Sequence, residues 1–531
     1  MITADPGRRA ARLDELKGAL ARRATPEDRD LLLSFAPVVF SGMPDRIALG
    51  LPTEALATRM LAAFRFVARE IPHAIQLYKG LPGIHVSARN PSEEEAAAMG
   101  SGEGMPLETT IVETHTLDAP FIFESLKNYF RKAGLRVFAA IHQIFTVRRQ
   151  WERPVWMGGP QEDGAKELYC SFQIERVESK ERLRRIEHEV FAVLKSVFTA
   201  VEDYEEMKRT ARDLGKRLRE RAEGLERVEP ARAFLSWMLD ENFIFLGSVR
   251  YRFAPDGSAH RVPESALGAF TDESLLPVVF PNLTEEVEAR LKPSPDDPRV
   301  VDIDFANNAS ALHHVDPLDN VVVRDWGPEG ELQEATVFLG RLAKVAFTQK
   351  AADIPLLRQK HDWLLAHSGD LPNSHVYREI RALFNRFPKR ELFYASAPSL
   401  KDIIDRIVYM SGDDEIAVHA RRGLGYMALS IGFSRVRYSY ETEEALGEAL
   451  AREFGPINFT TSADLGAVSL LVYYFDAARL EQPLEAEAVR RIVQSRLTTW
   501  EDRVTTALVE STGERLGRQL FRLYEESFSG L

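Results

Sequence analysis

The sequence predicts an α+β chain of several domains, and three observations lead there. The first is Val112–Ser125 (VETHTLDAPFIFES), which alternates like a strand, turns at Asp118-Ala119-Pro120 and continues as an amphipathic helix. Two more alternating stretches follow, Leu135–Arg149 and Glu167–Val177, and then a helical stretch from Lys180 to Tyr204. That order is most of a ferredoxin-like βαββαβ unit. The second observation is that a similar order returns between residues 374 and 480, with strands Glu415–Arg421, Gly425–Ile431, Ile457–Thr461 and Ala467–Phe475 around the helix Glu441–Phe454. The third is length: at 531 residues and ~150 residues per domain, three or four domains are expected.

The remaining elements fall into place in order. Residues 1–30 read as a charged helix closed at Thr25-Pro26, and Thr53–Ile71 has apolar residues at the three-to-four spacing of a buried helix. A short strand at Ile84–Ala88 precedes a small, polar, acidic loop at Asn90–Gly104. Glu205–Arg227 is highly charged and reads as a connector or packing helix whose basic residues form a solvated face, with Pro230 as its punctuation. A middle unit opens at Ala231 and carries strands at Phe243–Gly247, Val300–Phe305, Val321–Trp326 and Glu334–Leu339. Helices are expected at Ile354–Ala366, Val376–Asn385 and Leu400–Met410, and again over the tail Leu484–Phe528.

Bulk properties exclude several functions. The net charge of −12 argues against non-specific binding to nucleic acid or to an acidic membrane surface. No stretch approaches the ~20 apolar residues of a membrane span, and the N-terminus lacks the apolar run of a signal peptide. The single cysteine, Cys170, fits a reducing compartment, so the expectation is a cytoplasmic protein. No P-loop, H-E-x-x-H or nucleophile-elbow motif occurs. Gly100-Ser-Gly102-Glu-Gly104 lacks the spacing that sets a helix N-terminus against a pyrophosphate, and reads as a loop. His313 and His314 are adjacent, so on a strand they would face opposite sides and could not share a metal. No catalytic, cofactor-binding or metal residue is therefore assigned.

The candidate ligand site is the strand-to-helix turn, with Thr114, Thr116, Asp118, Ala119, Pro120 and Phe121. Asp118 is expected to cap the helix and Pro120 to suit its first turn. The free N–H groups of that turn could receive a small carboxylate such as that of an amino acid. The alternative is that Asp118 is a cap and nothing more.

Several motifs resemble the N-terminal region of the large, bacterial-type NAD-dependent glutamate dehydrogenases. TLDAPFIFES is similar to that family's D-M-P-F-L-V-D-S element at Asp118, Pro120, Phe121 and Ser125, and IHQIFTVRR to its H-P-V-x-x-V-x-R strand at His142 and Arg148. Phe234–Phe253, IPLLRQK (Ile354–Lys360), FPKRELF (Phe387–Phe393) and Thr499-Trp500-Glu501-Asp502 resemble further signatures, and Ser310–His314 follows one in part. The resemblance implies ACT-like units flanking a PAS-like α/β unit, with helical connectors and a helical C-terminal segment. The expected division is 1–106 as a helical and mixed lead-in, 107–204 as the first ACT-like domain, 205–230 as a connector helix, 231–366 as the PAS-like domain, 367–480 as the second ACT-like domain, and 481–531 as a helical segment. It further implies a regulatory and assembly role and a possible amino-acid effector. A homo-oligomer is implied, as is a catalytic domain outside these residues that uses NAD to deaminate L-glutamate oxidatively to 2-oxoglutarate. The end after Phe528 leads to the expectation that the sequence is a fragment of a longer enzyme, inactive by itself and holding no cofactor. A stand-alone amino-acid-sensing or scaffolding protein is the alternative.

Overall fold

The computed structural model describes residues 6–68, 83–92, 95, 109–150, 153–220, 225–292, 300–305, 318–327, 329–410, 412, 414–497 and 500–528. The Gly100–Gly104 cluster, the His313–His314 pair, the Ser310–His314 motif and Thr499 lie outside these residues.

Three antiparallel sheets alternate with layers of helix. The chain opens with α1 (Pro6–Arg23), α2 (Arg29–Ser41) and α3 (Thr53–Val67). The first sheet is built from β1 (His85–Arg89), β2 (Thr109–Leu117), β3 (Val137–Gln150), β4 (Arg153–Gly158) and β5 (Ala165–Glu175), in the order β1-β2-β5-β3-β4. Helix α4 (Ile122–Lys132) joins β2 to β3, and α5 (Lys180–Glu202) follows β5. Because β5 lies between β2 and β3, the β2–α4–β3 crossover is split, as in a ferredoxin-like fold. The strand beside β2 nevertheless comes from upstream. The order is ββαβ(β)βα rather than the expected βαββαβ, and β1 belongs to the sheet although it precedes residue 107. Strand β4 extends the β3–β5 connection and has no counterpart in the expected set.

Period-two alternation gives this sheet two buried faces. Val112 and Thr114 on β2 pair with Phe172 and Cys170 on β5, and this face receives Leu126 and Phe130 of α4 and Val190 and Val193 of α5. Ile141, Phe145 and Tyr169 point the other way, onto Phe35 and Val39 of α2 and Met60 and Phe64 of α3. Cys170 is a buried free thiol whose pKa is pushed up by burial.

Helix α5 is shared. Beyond it lies the second sheet, ordered β7-β6-β10-β9-β8: β6 (Phe243–Phe253), β7 (Ala259–Gly268), β8 (Val301–Phe305), β9 (Asp319–Trp326) and β10 (Leu332–Leu342). Val249, Val337 and Leu339 of this sheet join the same core as Val190 and Val197 of α5. The far face, with Phe243, Phe245, Val321 and Phe338, is covered by α6 (Tyr204–Glu220) and α7 (Leu225–Trp237). Of the two readings of this helix, connector or packing, the structure shows it packed on the middle sheet. Met207, Ala211, Leu214 and Leu218 form a stripe at helical spacing that is buried in the core, while the basic residues take the outer face. Pro230 lies inside α7 rather than between elements.

The helices α9 (Pro355–Ala366), α10 (His375–Arg386), α11 (Lys389–Tyr394) and α12 (Ala397–Val408) follow, with α8 (Leu283–Leu291) earlier on the α5 side of the second sheet. They lead to the third sheet, β11-β12-β14-β13: β11 (Ala417–Arg422), β12 (Tyr426–Ser434), β13 (Ile457–Asp464) and β14 (Val468–Asp476). Helix α13 (Tyr440–Phe454) makes the crossover from β12 to β13 around β14, so this unit repeats the ββαββα order of the first. Its outer face holds Leu446 and Leu450 of α13 and Val489 and Val493 of α14 (Ala486–Leu497). Helices α15 (Trp500–Thr512) and α16 (Glu514–Phe528) close the described chain.

A buried polar cluster joins the helical layer to the third sheet. Arg421 on β11 meets Glu391 on α11 through two hydrogen bonds of 2.6 Å, and the Tyr474 hydroxyl donates to the same carboxylate at 2.5 Å. Arg421 also donates to the Tyr426 hydroxyl at 2.8 Å, which donates to Asp304 of β8 region at 2.8 Å. The bidentate geometry is what allows a guanidinium to be buried here: burial works against its charge, but Glu391 outweighs it and keeps the Arg421 pKa raised. Removing one partner leaves the other charged and buried. A Glu391→Gln variant is expected to lose about 3–5 kcal/mol of stability, and Tyr474→Phe about 2 kcal/mol, measured as shifts in urea unfolding. An unchanged midpoint for Glu391→Gln would contradict this account.

Candidate functional site

The turn between β2 and α4 is where the sequence places a ligand. Thr114 and Thr116 are buried on β2 opposite Cys170 and Leu168, and the Thr116 hydroxyl donates to the Leu117 carbonyl at 2.8 Å. The Asp118 amide donates to the Lys166 carbonyl at 2.9 Å, which ends the β2 pairing and leaves its side chain exposed. The helix begins later than expected. Its N-cap is Phe121, in the left-handed conformation at φ 75°, and no side chain caps it. The expectation that Asp118 caps α4 is therefore corrected: it sits three residues too early for its carboxylate to occupy the N-cap position. A bulky residue at positive φ is strained, and such strain collects at ligand sites and switch regions.

Pro120 and Phe121 open onto a cavity of about 350 Å³. Ser125 in the first turn of α4 continues that wall. The second wall is the end of α5, with Val197, Ala200 and Val201, and Tyr204 at the start of α6. The third belongs to the middle unit: Glu241, then Ile244, Phe245 and Leu246 of β6. Of the six residues the sequence brings forward, the cavity takes two, Pro120 and Phe121. Thr114, Thr116, Asp118 and Ala119 do not line it.

Its polar groups sit together. Glu241 lies in a five-residue π turn, Met238–Asn242, and is itself left-handed at φ 59°. Lys208 of α6 reaches Glu241 at 3.5 Å and lies 5.4 Å over the Tyr204 ring. Burial first, and the Glu241 charge second, raise the Tyr204 pKa. The α5–α6 corner is held by Asp203, which is buried and accepts from the Gly268 amide at 2.8 Å. Only glycine suits that strand end: φ is +58°, and a Cβ would overlap the Leu246 carbonyl. The cavity thus has an apolar body and one end carrying a carboxylate and a phenol, with the Lys208 ammonium paired to that carboxylate from outside the lining. Its size suits a small molecule.

The opposite face of the first sheet carries a second polar group that sequence reasoning missed. Glu167 on β5 accepts from Arg149 at 2.7 and 2.8 Å and lies 2.6 Å from His115 Nε2. Two strand positions away, the Tyr169 hydroxyl donates to Glu113 at 2.7 Å, and Arg89 reaches Glu113 at 3.3 Å. The available signal was Glu113 and His115, two ionisable residues on the face that alternates with Val112 and Thr114. Burial opposes ionisation of Glu167, but the hydrogen bonds from Arg149 and His115 outweigh it and hold its carboxyl at about 2. Burial, offset by Arg89 and Tyr169, raises Glu113. Among the described residues no group of His, Cys, Asp and Glu gathers as a metal site, and no helix is long and apolar enough to cross a membrane.

The fold and these sites define a multidomain α+β chain whose first and third sheets share the split ferredoxin-like crossover. The family model described as glutamate dehydrogenase, ACT1 domain, matches residues 35–190, and the one described as glutamate dehydrogenase, helical motif 1, matches residues 354–413. The chain is 24% identical over 553 residues to an NAD-specific glutamate dehydrogenase of Halomonas elongata, covering 98% of this chain and 32% of that protein. It is 24% identical over 449 residues to one of Pseudomonas aeruginosa, covering 79% of this chain and 26% of that protein. These matches support membership of the NAD-dependent glutamate dehydrogenase family, and the chain spans about a third or less of the length of these curated relatives. The ACT1 match takes in α2, α3 and β1, and the helical motif takes in α9–α12, including Glu391.

The Glu167 group generates a pH dependence. Its carboxyl is at about 2 in the folded chain against 4.5 ordinarily, so its stabilising contribution is full above about pH 4.5 and is lost as pH falls toward 2. The stability gap between the native chain and Glu167→Gln is expected to narrow by about 3 kcal/mol across that window, followed by urea unfolding at successive pH values. A gap that stays constant would contradict it.

Proposed function

We propose that this chain is a regulatory and assembly segment of an NAD-dependent glutamate dehydrogenase, and that it responds to a small amino-acid effector held in the β2–α4 cavity. The observation that carries the reading is the composition of the cavity walls. One wall is the first turn of α4 in the ACT1 region, the next is the α5–α6 corner, and the third is β6 of the middle sheet. A ligand there touches both units at once, so its binding energy bears on their relative arrangement, which is the physical requirement for coupling. The apolar body suits an amino-acid side chain. Glu241 on the wall is the carboxylate available to an ammonium, and the first-turn N–H groups of α4 are those that could receive a carboxylate.

In this reading oxidative deamination of glutamate with NAD belongs to a longer protein, to which this segment contributes regulation. The middle sheet would be the PAS-like unit and the third sheet a second ACT-like unit. Assembly would be homo-oligomeric and most simply two-fold, through sheet edges such as β13, whose residues alternate between half-buried and exposed.

Calorimetric titration of the chain with each of the common amino acids tests the proposal. At least one should bind saturably, and Ala200→Trp, which fills the cavity, should abolish that binding. Glu241→Gln should weaken it roughly tenfold, the loss of one charged contact. Asp118→Ala should leave thermal stability within about 0.5 kcal/mol, since Asp118 is not the cap. Binding that survives Ala200→Trp in a folded chain would exclude the cavity, and no binding by any amino acid would exclude the effector.

A further inference from the structure

A second cavity, of about 930 Å³, lies at the far end of the middle sheet, between the β6–β7 and β9–β10 hairpins. Four cations on three separate elements line it: Arg217 on α6, Arg250 and Arg252 on β6, and Lys292 just after α8. They are not equally committed. Arg250 and Arg252 share one carboxylate, Glu334, at 3.7 and 3.4 Å. Glu331 is turned back into its own hairpin, accepting from Gln333 at 2.6 Å and from the Glu329 amide at 3.1 Å. Lys292 forms no ion pair among the described residues, Arg217 lies in the field of Asp213 on its own helix, and the Nε of Arg217 is buried without a hydrogen-bond acceptor; the lining also holds the buried carboxylate Asp325. The Lys292 ammonium lies 3.8 Å from where a Cβ on Gly257 would sit, so a positive-φ glycine at the hairpin tip leaves room beside that charge. Phe253 and Trp326, both half-buried, supply aromatic surface in the same wall.

We infer that this cavity is a binding site for a small ring-bearing anion, with Arg217 and Lys292 on its charged group and Trp326 along its ring. A buried guanidinium edge without an acceptor favours an anion that brings one, and the four cations of the lining exceed its three carboxylates, Asp325, Glu331 and Glu334. The ring is argued from the indole, which gives flat apolar surface next to those charges. The inference is independent of the effector cavity, with which this site shares no residue.

The same anion chemistry could come from a phosphate monoester or an aromatic dicarboxylate. Calorimetry on the chain with phenyl phosphate, terephthalate and inorganic phosphate separates them. At least one ring-bearing probe should bind saturably and more tightly than inorganic phosphate. Lys292→Gln should weaken it roughly tenfold or more, as expected for one charged contact. Because Lys292 is exposed, that variant should melt like the native chain. Trp326→Leu should reduce the ring-bearing probe to the level of inorganic phosphate, and Arg252→Gln should weaken the probe less than Lys292→Gln, since Arg252 already shares Glu334. Failure of both ring-bearing probes to bind, or equal binding by the native chain and Lys292→Gln, would overturn the inference.

Discussion

Each sheet of this chain is apolar on both faces, and the layered architecture follows from that constraint. A strand such as β2, buried along almost its whole length, cannot present one side to water, so a helical layer must cover each side. The cheapest covering is a helix that serves two sheets at once. Helix α5 does this, placing Val190 and Val193 against Phe172 of the first sheet and joining the core that holds Val249 and Val337 of the second. The layer α9–α12 does it again between the second and third sheets, where Phe305 of β8 lies 4.3 Å from the Tyr426 ring and 5.5 Å from that of Tyr474. Sharing a layer makes neighbouring units mechanically dependent. A shift of α5 is felt by two sheets, because packed interiors transmit displacement rather than absorb it.

The polar residues inside this stack occupy the junctions. Glu391 and Arg421 lie where the helical motif meets the third sheet, and Asp203 lies where α5 turns into α6 against β7. A buried ion pair is a weak source of net stability, because desolvation offsets most of the attraction. Its geometric demand is strict, however, and two 2.6 Å hydrogen bonds fix α11 relative to β11 in a way apolar contact would not. The candidate cavity follows the same logic at the α5 layer, where Glu241, paired with Lys208, stands at one end of an otherwise apolar space.

The elements were legible where one periodicity dominated. Val112–Leu117, Leu135–Arg149 and the helix Glu441–Phe454 all lie where pattern alone puts them, within a few residues. Strand β7, with exposed His260 and Glu264 and with Pro263 in its middle, carried no such pattern and became visible only through its pairing with β6. Pairing order was not legible either. Periodicity states that a strand exists but not which neighbour it takes, so β1, ahead of the unit, could not be seen to fill the edge that a βαββαβ order reserves for a last strand. At Glu205–Arg227 the density of charge left connector and packing helix both open, and the stripe of Met207, Ala211, Leu214 and Leu218 decides for packing. At the candidate site the turn was legible from Asp118-Ala119-Pro120. Its cavity was not, because Val197, Ala200 and Phe245 are ordinary apolar residues whose convergence exists only in the fold. Motif order across the chain carried the family resemblance, which the ACT1 and helical-motif matches then supported.

If α5 couples the first two sheets, a ligand on one side of it must be felt on the other. Hydrogen–deuterium exchange of the chain, with and without the amino acid that binds it, reads this directly. The account predicts slower exchange in two separated stretches together: the β2–α4 turn around residues 118–124, and the start of β6 around residues 243–249. Protection confined to the turn, with β6 unchanged at full occupancy, would contradict it.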